Sequence, residues 1–237
     1  CNTDLTLTPS DEWISVSVEE DKMNITLTEN NTGHVRRGSI AYKAGTNEDK
    51  ITITQYDFEK DIAGEYMFLF TNAESGALQY LDATLSKTGN AYSIELTGLG
   101  FSIPVTYNKT NGDLTLKAGQ YIGDYDAYKV HTTLWDTKEG YLTWDTSISM
   151  SGSFEYVEED GVGYTIALIE DDGSWGSYHP DAIRLEAFKS TTLSSSTRVG
   201  SLLSLIDPYL QRAHAGEAIT YKMAKTPVKA NVEFLLK

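Results

Sequence analysis

Four aromatic side chains have the type and placing best suited to a chemistry. Trp175 and Tyr178 lie in the polar, glycine-rich stretch Asp171-Asp172-Gly173-Ser174-Trp175-Gly176-Ser177-Tyr178-His179-Pro180, and Trp135 and Trp144 come before it. An aromatic ring on a loop offers a flat apolar face to the C–H face of a sugar, while neighbouring carboxylates accept hydrogen bonds from its hydroxyls. These four are the candidate ligand-binding residues, and a glycan is the candidate partner. For Trp135 and Trp144, inside strand-like runs, the competing reading is core packing. For Trp175 and Tyr178 it is a lid over the end of a barrel.

Catalytic groups are harder to assemble. Glu155, Glu158, Glu159, Asp160, Glu170, Asp171, Asp172 and Asp181 could supply the carboxylate pair, about 5 Å apart, that a retaining glycosidase needs. Charges in turns and at strand ends are more often simply solvated. His34, His131, His179 and His214 are scattered, with no spacing that would gather metal ligands. Asp171 and Asp172 cluster oxygens of the kind calcium takes, in a spacing that matches no EF-hand loop. Ser151-Gly152-Ser153 does not form a nucleophile elbow. The expectation is a protein that is not an enzyme and holds no cofactor and no metal.

The elements that must position these residues read almost wholly as strands. Of 237 residues 40% are hydrophobic, enough for a sizeable core, and no apolar run approaches the roughly 20 residues of a membrane-spanning helix. Lys and Arg number 19 against 34 Asp and Glu, a net charge of −15 that disfavours nucleic acid and a basic lipid-binding face. A single cysteine excludes an internal disulfide framework.

In residues 1–57, Ile14, Val16 and Val18 alternate with polar residues, as do Ile25 and Leu27, then Ile51 and Ile53. Period-two alternation marks half-buried strands. In residues 58–237, strands are expected at about 64–71, 78–87, 91–98, 101–107, 113–118, 127–135, 140–148, 151–157, 162–170 and 182–189. Hairpin turns such as Thr88-Gly89-Asn90 and Asn111-Gly112 separate them. Val199, Leu202, Leu203, Ile206 and Leu210 recur at helical spacing, with Asp207-Pro208 as a cap, predicting one short late helix. Closing strands are expected at Ala218–Ala224 and Val228–Leu236.

The run Trp13-Ile14-Ser15-Val16, then Asn30 through Arg37-Gly38-Ser39-Ile40, then Ile51-Thr52-Ile53-Thr54-Gln55, resembles a BACON domain. The name stands for Bacteroidetes-associated carbohydrate-binding, often N-terminal. The resemblance implies an immunoglobulin-like β-sandwich, with Trp13 and Ile14 anchoring its core and Arg37-Gly38 turning into a strand near Ile40. The family's full domain is longer, so its first strands are expected upstream of Cys1 or missing. A meander followed by a late helix and a final strand looks like a lipocalin or related calycin barrel. Gly64-Glu65-Tyr66 resembles the lipocalin Gly-any-Trp signature, with tyrosine for tryptophan.

The fold class expected is therefore all-β: a partial immunoglobulin-like sandwich over residues 1–57, then an antiparallel meander barrel over 58–237. Cys1, followed by Asn2-Thr3-Asp4, is either the lipid-carrying first residue of a bacterial lipoprotein or a small core residue. A lipid there would be the only membrane attachment, and the setting would be the cell envelope. The leading functional expectation is a non-catalytic protein binding glycans or glycan-derived ligands. A purely structural surface protein comes next, then a barrel holding a small apolar ligand, then a polysaccharide hydrolase.

Overall fold

The computed structural model describes residues 5–19, 22–159, 161–214 and 227–230. The chain divides into two compact units, Cys1–Ile62 and Ala63–Lys237. Among the described residues no helix is long and apolar enough to cross a membrane. Cys1 and Ala218–Ala224 lie outside the described residues.

Among the described residues the first unit has five strands in two small sheets. β1 (Leu5–Pro9), β4 (Arg36–Ala44) and β5 (Asn47–Gln55) form one, in the order β1-β4-β5, and β2 (Ile14–Glu19) pairs with β3 (Lys22–Leu27) in the other. Ile14, Val35 and Ile40 are buried between them. Arg37-Gly38 lies inside β4, where a turn was expected. Glycine serves there for closeness: a Cβ on Gly38 would sit 2.5 Å from Ile14 Cδ1 and 2.8 Å from Trp13 Cζ2. Arg36 covers the Trp13 ring, 4.3 Å from its centroid.

The chain leaves this unit through a single π-helical turn, Phe58–Ile62, tied down by the buried Asn30. Its Nδ2 donates to the His34 carbonyl at 2.8 Å and to Asp61 Oδ2 at 3.2 Å, and its Oδ1 accepts from Thr32. Burial pushes the Asp61 carboxyl above its ordinary value, against a hydrogen bond from the Asp57 N–H. Losing the Asn30 amide should cost about 2 kcal/mol locally. Asn30→Ala is thus expected to speed hydrogen exchange at Asp57–Ile62 by about thirtyfold. Unchanged exchange there would refute the tie.

The second unit begins with β6 (Gly64–Asn72), β7 (Leu78–Thr88), β8 (Ala91–Leu96), β9 (Phe101–Tyr107), β10 (Asp113–Lys117), β11 (Tyr121–Tyr125) and β12 (Tyr128–Asp136). All but β11, where no strand was expected, lie close to the expected segments. β9, Phe-Ser-Ile-Pro-Val-Thr-Tyr, buries every second residue along its length. After them come β13 (Tyr141–Thr143), β14 (Ser149–Ser153), β15 (Glu155–Glu159), β16 (Val162–Leu168), β17 (Glu170–Asp171), β18 (Ala182–Phe188), β19 (Arg198–Ala213) and β20 (Val228–Lys229). The expected strand 140–148 shrinks to three residues, and the expected 151–157 splits into β14 and β15.

The late helix is a correction. Residues 198–213 form the sixteen-residue strand β19, pairing with β18, β6 and β16. The apolar spacing imitates a helix because bulges break the alternation: the register slips between Leu185 and Glu186 opposite β19, and between Ile206 and Tyr209 within it. Asp207-Pro208 makes the second bulge, with Asp207 at φ 48°, and proline is tolerated where the ladder is broken. The expected final strand survives only as Val228–Lys229 among the described residues. It pairs parallel to β7, so the sheet is not wholly antiparallel.

The ladder runs β11-β12-β18-β19-β6-β7-β8-β9-β10-β14-β17. β10 and β11 stand far apart on that path, yet only Ala118, Gly119 and Gln120 join them, so the sheet must curl round. Phe68, Phe70, Ile94, Ile103, Leu134 and Leu185 face its interior with no accessible surface at all. No space large enough for a water touches them, so they line no ligand cavity of the kind a calycin-type binder requires.

Where the curl meets itself, the wall forks. Up to Lys117 the chain pairs with β14. Beyond it, Gly119 donates to the Thr132 carbonyl at 2.7 Å and β11 pairs with β12. β19 changes partner too, from β18 in its first half to β16 in its second. The segments 137–148 and 172–181 connect the two branches, and they carry most of the candidate residues.

Candidate functional site

The loop after β17 is fixed by its own polar side chains. Asp171 Oδ1 accepts from the Gly173 N–H at 2.9 Å, and Asp172 Oδ1 from the Ser174 N–H at 3.0 Å. Ser149, opening β14, donates its N–H to Ser174 Oγ at 2.8 Å and its hydroxyl to Asp172 Oδ2 at 2.6 Å. Burial alone would raise the Asp172 carboxyl, but the bonds from Ser149 and Ser174 hold it below its ordinary value. Further on, the His179 N–H donates to Asp136 Oδ2 at 3.0 Å and the Thr137 N–H to Asp181 Oδ1 at 2.9 Å. The backbone N–H groups of His179 and Glu139 keep the Asp136 carboxyl below its ordinary value.

This scaffold presents three rings. Trp175 and Tyr178 lie with centroids 5.1 Å apart, tilted by 46°, and Tyr141 of β13 lies 4.7 Å from Tyr178, tilted by 59°. Trp175 and Tyr178 are half-buried and Tyr141 is 53% exposed. The result is a stepped aromatic ledge on a loop whose shape is set before any ligand arrives, which lowers the ordering cost of binding. Beside it, His179 Nδ1 lies 2.7 Å from Asp171 Oδ2.

Trp135 and Trp144 are placed elsewhere. Trp135, in β12, lies over the Arg184 guanidinium at 5.0 Å. Trp144, in the loop after β13, meets Phe188 edge-on at 5.8 Å, and Phe188 in turn meets His131. Burial pushes the His131 imidazole below its ordinary value, opposed by its hydrogen bond to the Gly119 carbonyl. Both tryptophans cover the outer face of the sheet and stand apart from the ledge trio.

The carboxylates separate likewise. Glu155, Glu170 and Asp171 line one groove, joined by Asp113 of β10, which the sequence did not single out. Asp172 and Asp181 serve the loops, Glu158 accepts from the Tyr156 hydroxyl, and Asp160 lies outside the described residues. Among the described residues, no three His, Cys, Asp or Glu side chains are grouped to hold a metal ion.

Sequence reasoning missed two further features. Tyr141 is far from Trp175 in the chain, and only the β12–β13 hairpin brings it to the ledge. Glu186 is wholly buried, gripped by Arg198 through Nε at 2.8 Å and Nη2 at 3.1 Å, with Arg184 Nη2 at 3.2 Å. The Arg-Leu-Glu sequence 184–186 looks like an ordinary solvated face, and its alternation gave no sign that both faces of β18 are covered.

A model of the BACON family, described as "Putative binding domain, N-terminal", matches residues 3–56. No curated protein and no solved structure matches the chain. A second family model, DUF4987, described as a domain of unknown function, matches residues 45–174. That match takes in most of the second unit's curled sheet together with Trp135, Trp144 and the ledge tyrosine, Tyr141. It covers more than half of the sequence, and on that ground the chain belongs to the DUF4987 family.

Proposed function

We propose that this protein is a non-catalytic binder of glycans or glycan-derived ligands in the bacterial cell envelope, with the ledge of Tyr141, Trp175 and Tyr178 as its contact surface. The observation that carries the reading is the ledge itself: two tilted rings on a hydrogen-bonded loop and a third on β13, beside carboxylates able to accept from sugar hydroxyls. The BACON match supports a binding role for the chain. Phe68, Phe70, Ile94, Ile103, Leu134 and Leu185 leave no accessible surface inside the curl, which favours the outer surface for that role. On this reading the net charge of −15 makes a polyanion such as nucleic acid a poor partner.

The test is isothermal calorimetry of the whole chain against soluble plant, host and microbial polysaccharides. Truncating an aromatic anchor typically costs about 2 kcal/mol or more, so Trp175→Ala and Tyr178→Ala should each weaken binding by at least about tenfold. Circular dichroism should stay unchanged. Wild-type protein that binds none of the panel, or a Trp175→Ala variant that binds as well as wild type, would sink the reading.

A further inference from the structure

Next to the ledge, the second unit carries a groove of about 550 Å³. Its floor is apolar and open: Leu168 is 52% exposed and Val157 37%, with Ile166 between β15 and β19 beside them. Neighbouring exposed apolar side chains rimmed by polar ones mark a ligand groove or contact surface. The floor is also closely fitted. A Cβ on Gly152 would lie 2.0 Å from the Leu168 carbonyl oxygen, so β14 runs directly against the end of β16. The rim carries four carboxylates, Asp113, Glu155, Glu170 and Asp171, and among the described residues no Lys, Arg or His lines the groove. Asp171 belongs to groove and ledge alike, through His179, the neighbour of Tyr178.

We propose that this groove makes the site selective for cationic glycans, chains of amino sugars bearing free ammonium groups. The inference rests on the glycan reading above and names the substrate class of that site. A pyranose ring lays its C–H face on Val157 and Leu168 as it does on Trp175, and an ammonium attached directly to the ring meets the carboxylate rim. Charge complementarity then separates ligands that shape alone does not. A uronate or sulfated chain meets four like charges, and a neutral chain gains nothing from them. A flexible basic peptide would satisfy the rim but would leave the flat ledge uncovered.

The experiment is calorimetry of the whole chain at pH 6 with three soluble oligosaccharides of matched length: β-1,4-glucosamine, its N-acetylated counterpart and oligogalacturonate. An oligolysine serves as the peptide comparison. The glucosamine oligomer should bind at least tenfold tighter than the N-acetylated one, oligogalacturonate should not bind, and raising NaCl from 0.05 to 0.5 M should erase most of the preference. The double variant Glu155→Gln, Glu170→Gln, which leaves only Asp113 and Asp171 charged, should lose most of the preference for the cationic oligomer, while Trp175→Ala weakens both. Equal binding of the two oligomers by wild type, with Trp175→Ala still damaging, overturns the charge selectivity and leaves the glycan reading standing. A preference undiminished in the double variant, or oligolysine binding as tightly as the glucosamine oligomer, also overturns it. Silence towards every sugar overturns both.

Discussion

Replacing Glu186 with alanine is expected to lower the melting temperature by about 6–12 °C. The carboxylate has no accessible surface, and both its oxygens are taken up: a fork from Arg198 Nε and Nη2, and Arg184 Nη2 at 3.2 Å. Arg184 is itself clamped, with Nε on Ser201 Oγ at 3.3 Å and Trp135 over its guanidinium. Burial lowers the Arg184 guanidinium from its ordinary value, and Glu186 is the group that offsets this. Without Glu186, two guanidiniums with side chains only 20% and 34% exposed would face each other with no counter-ion. Breaking a buried pair costs about 3–5 kcal/mol, and the partial exposure of Arg198 sets the lower end, about 3 kcal/mol. At about 2–4 °C per kcal/mol for a unit of this size, the shift follows. The sign also decides between two effects. The chain carries −15, so if long-range repulsion dominated, removing an acid would raise the melting temperature. A thermal scan showing no change, or a rise, would mean that the two arginines do not depend on Glu186.

How much of this was legible in the sequence depends on which physical signal each element sends. β7, β8, β9 and β10 stand within two residues of where the alternation puts them, because one face of each points into the curl and the other is more open; β11, Tyr121–Tyr125, was not expected as a strand. β9 is the plainest case. The pattern fails where both faces are buried or the ladder bulges. β18 is covered on both sides, so nothing in its pattern marks Glu186 as buried. β19 bends through Asp207-Pro208, so its apolar residues fall into a false helical rhythm. Poor helix formers near its start, Gly200, Ser201 and Ser204, were the available counter-signal.

The ledge divides the same way. Trp175 and Tyr178 could be found because a glycine-rich polar stretch has no local use for two large rings. Tyr141 could not, since its place is set by a hairpin that returns from β12, and Asp113 reaches the groove only because β10 pairs with β14. What a residue can do in a loop is written locally, whereas which residues share a surface is decided by sheet register.

Gly119 is where that register is set, and Gly119→Ala is expected to be the more damaging of two outwardly similar substitutions. Its φ is +73°, a conformation that costs an alanine about 1–2 kcal/mol. Gly140 has nearly the same φ, +75°, but its Cβ direction is empty to 4 Å. At Gly119 a Cβ would lie 2.4 Å from the Trp144 carbonyl oxygen and 3.0 Å from Thr146 Cγ2, and backbone cannot swing aside as a side-chain tip can. Relief must come from the fork itself. Either Gly119 gives up its bond to Thr132, or the 144–148 segment lifts and takes Trp144 off Phe188. Gly140→Ala should therefore cost about 1 kcal/mol, and Gly119→Ala about 3 kcal/mol or more, a further fall of roughly 4–8 °C at the usual scaling for a unit of this size. Where relief comes from lifting the 144–148 segment, tryptophan fluorescence should shift in the Gly119 variant alone, since only there is an indole displaced. Equal melting temperatures for the two variants would show that the close approach of Trp144 to Gly119 does not hold the fork together.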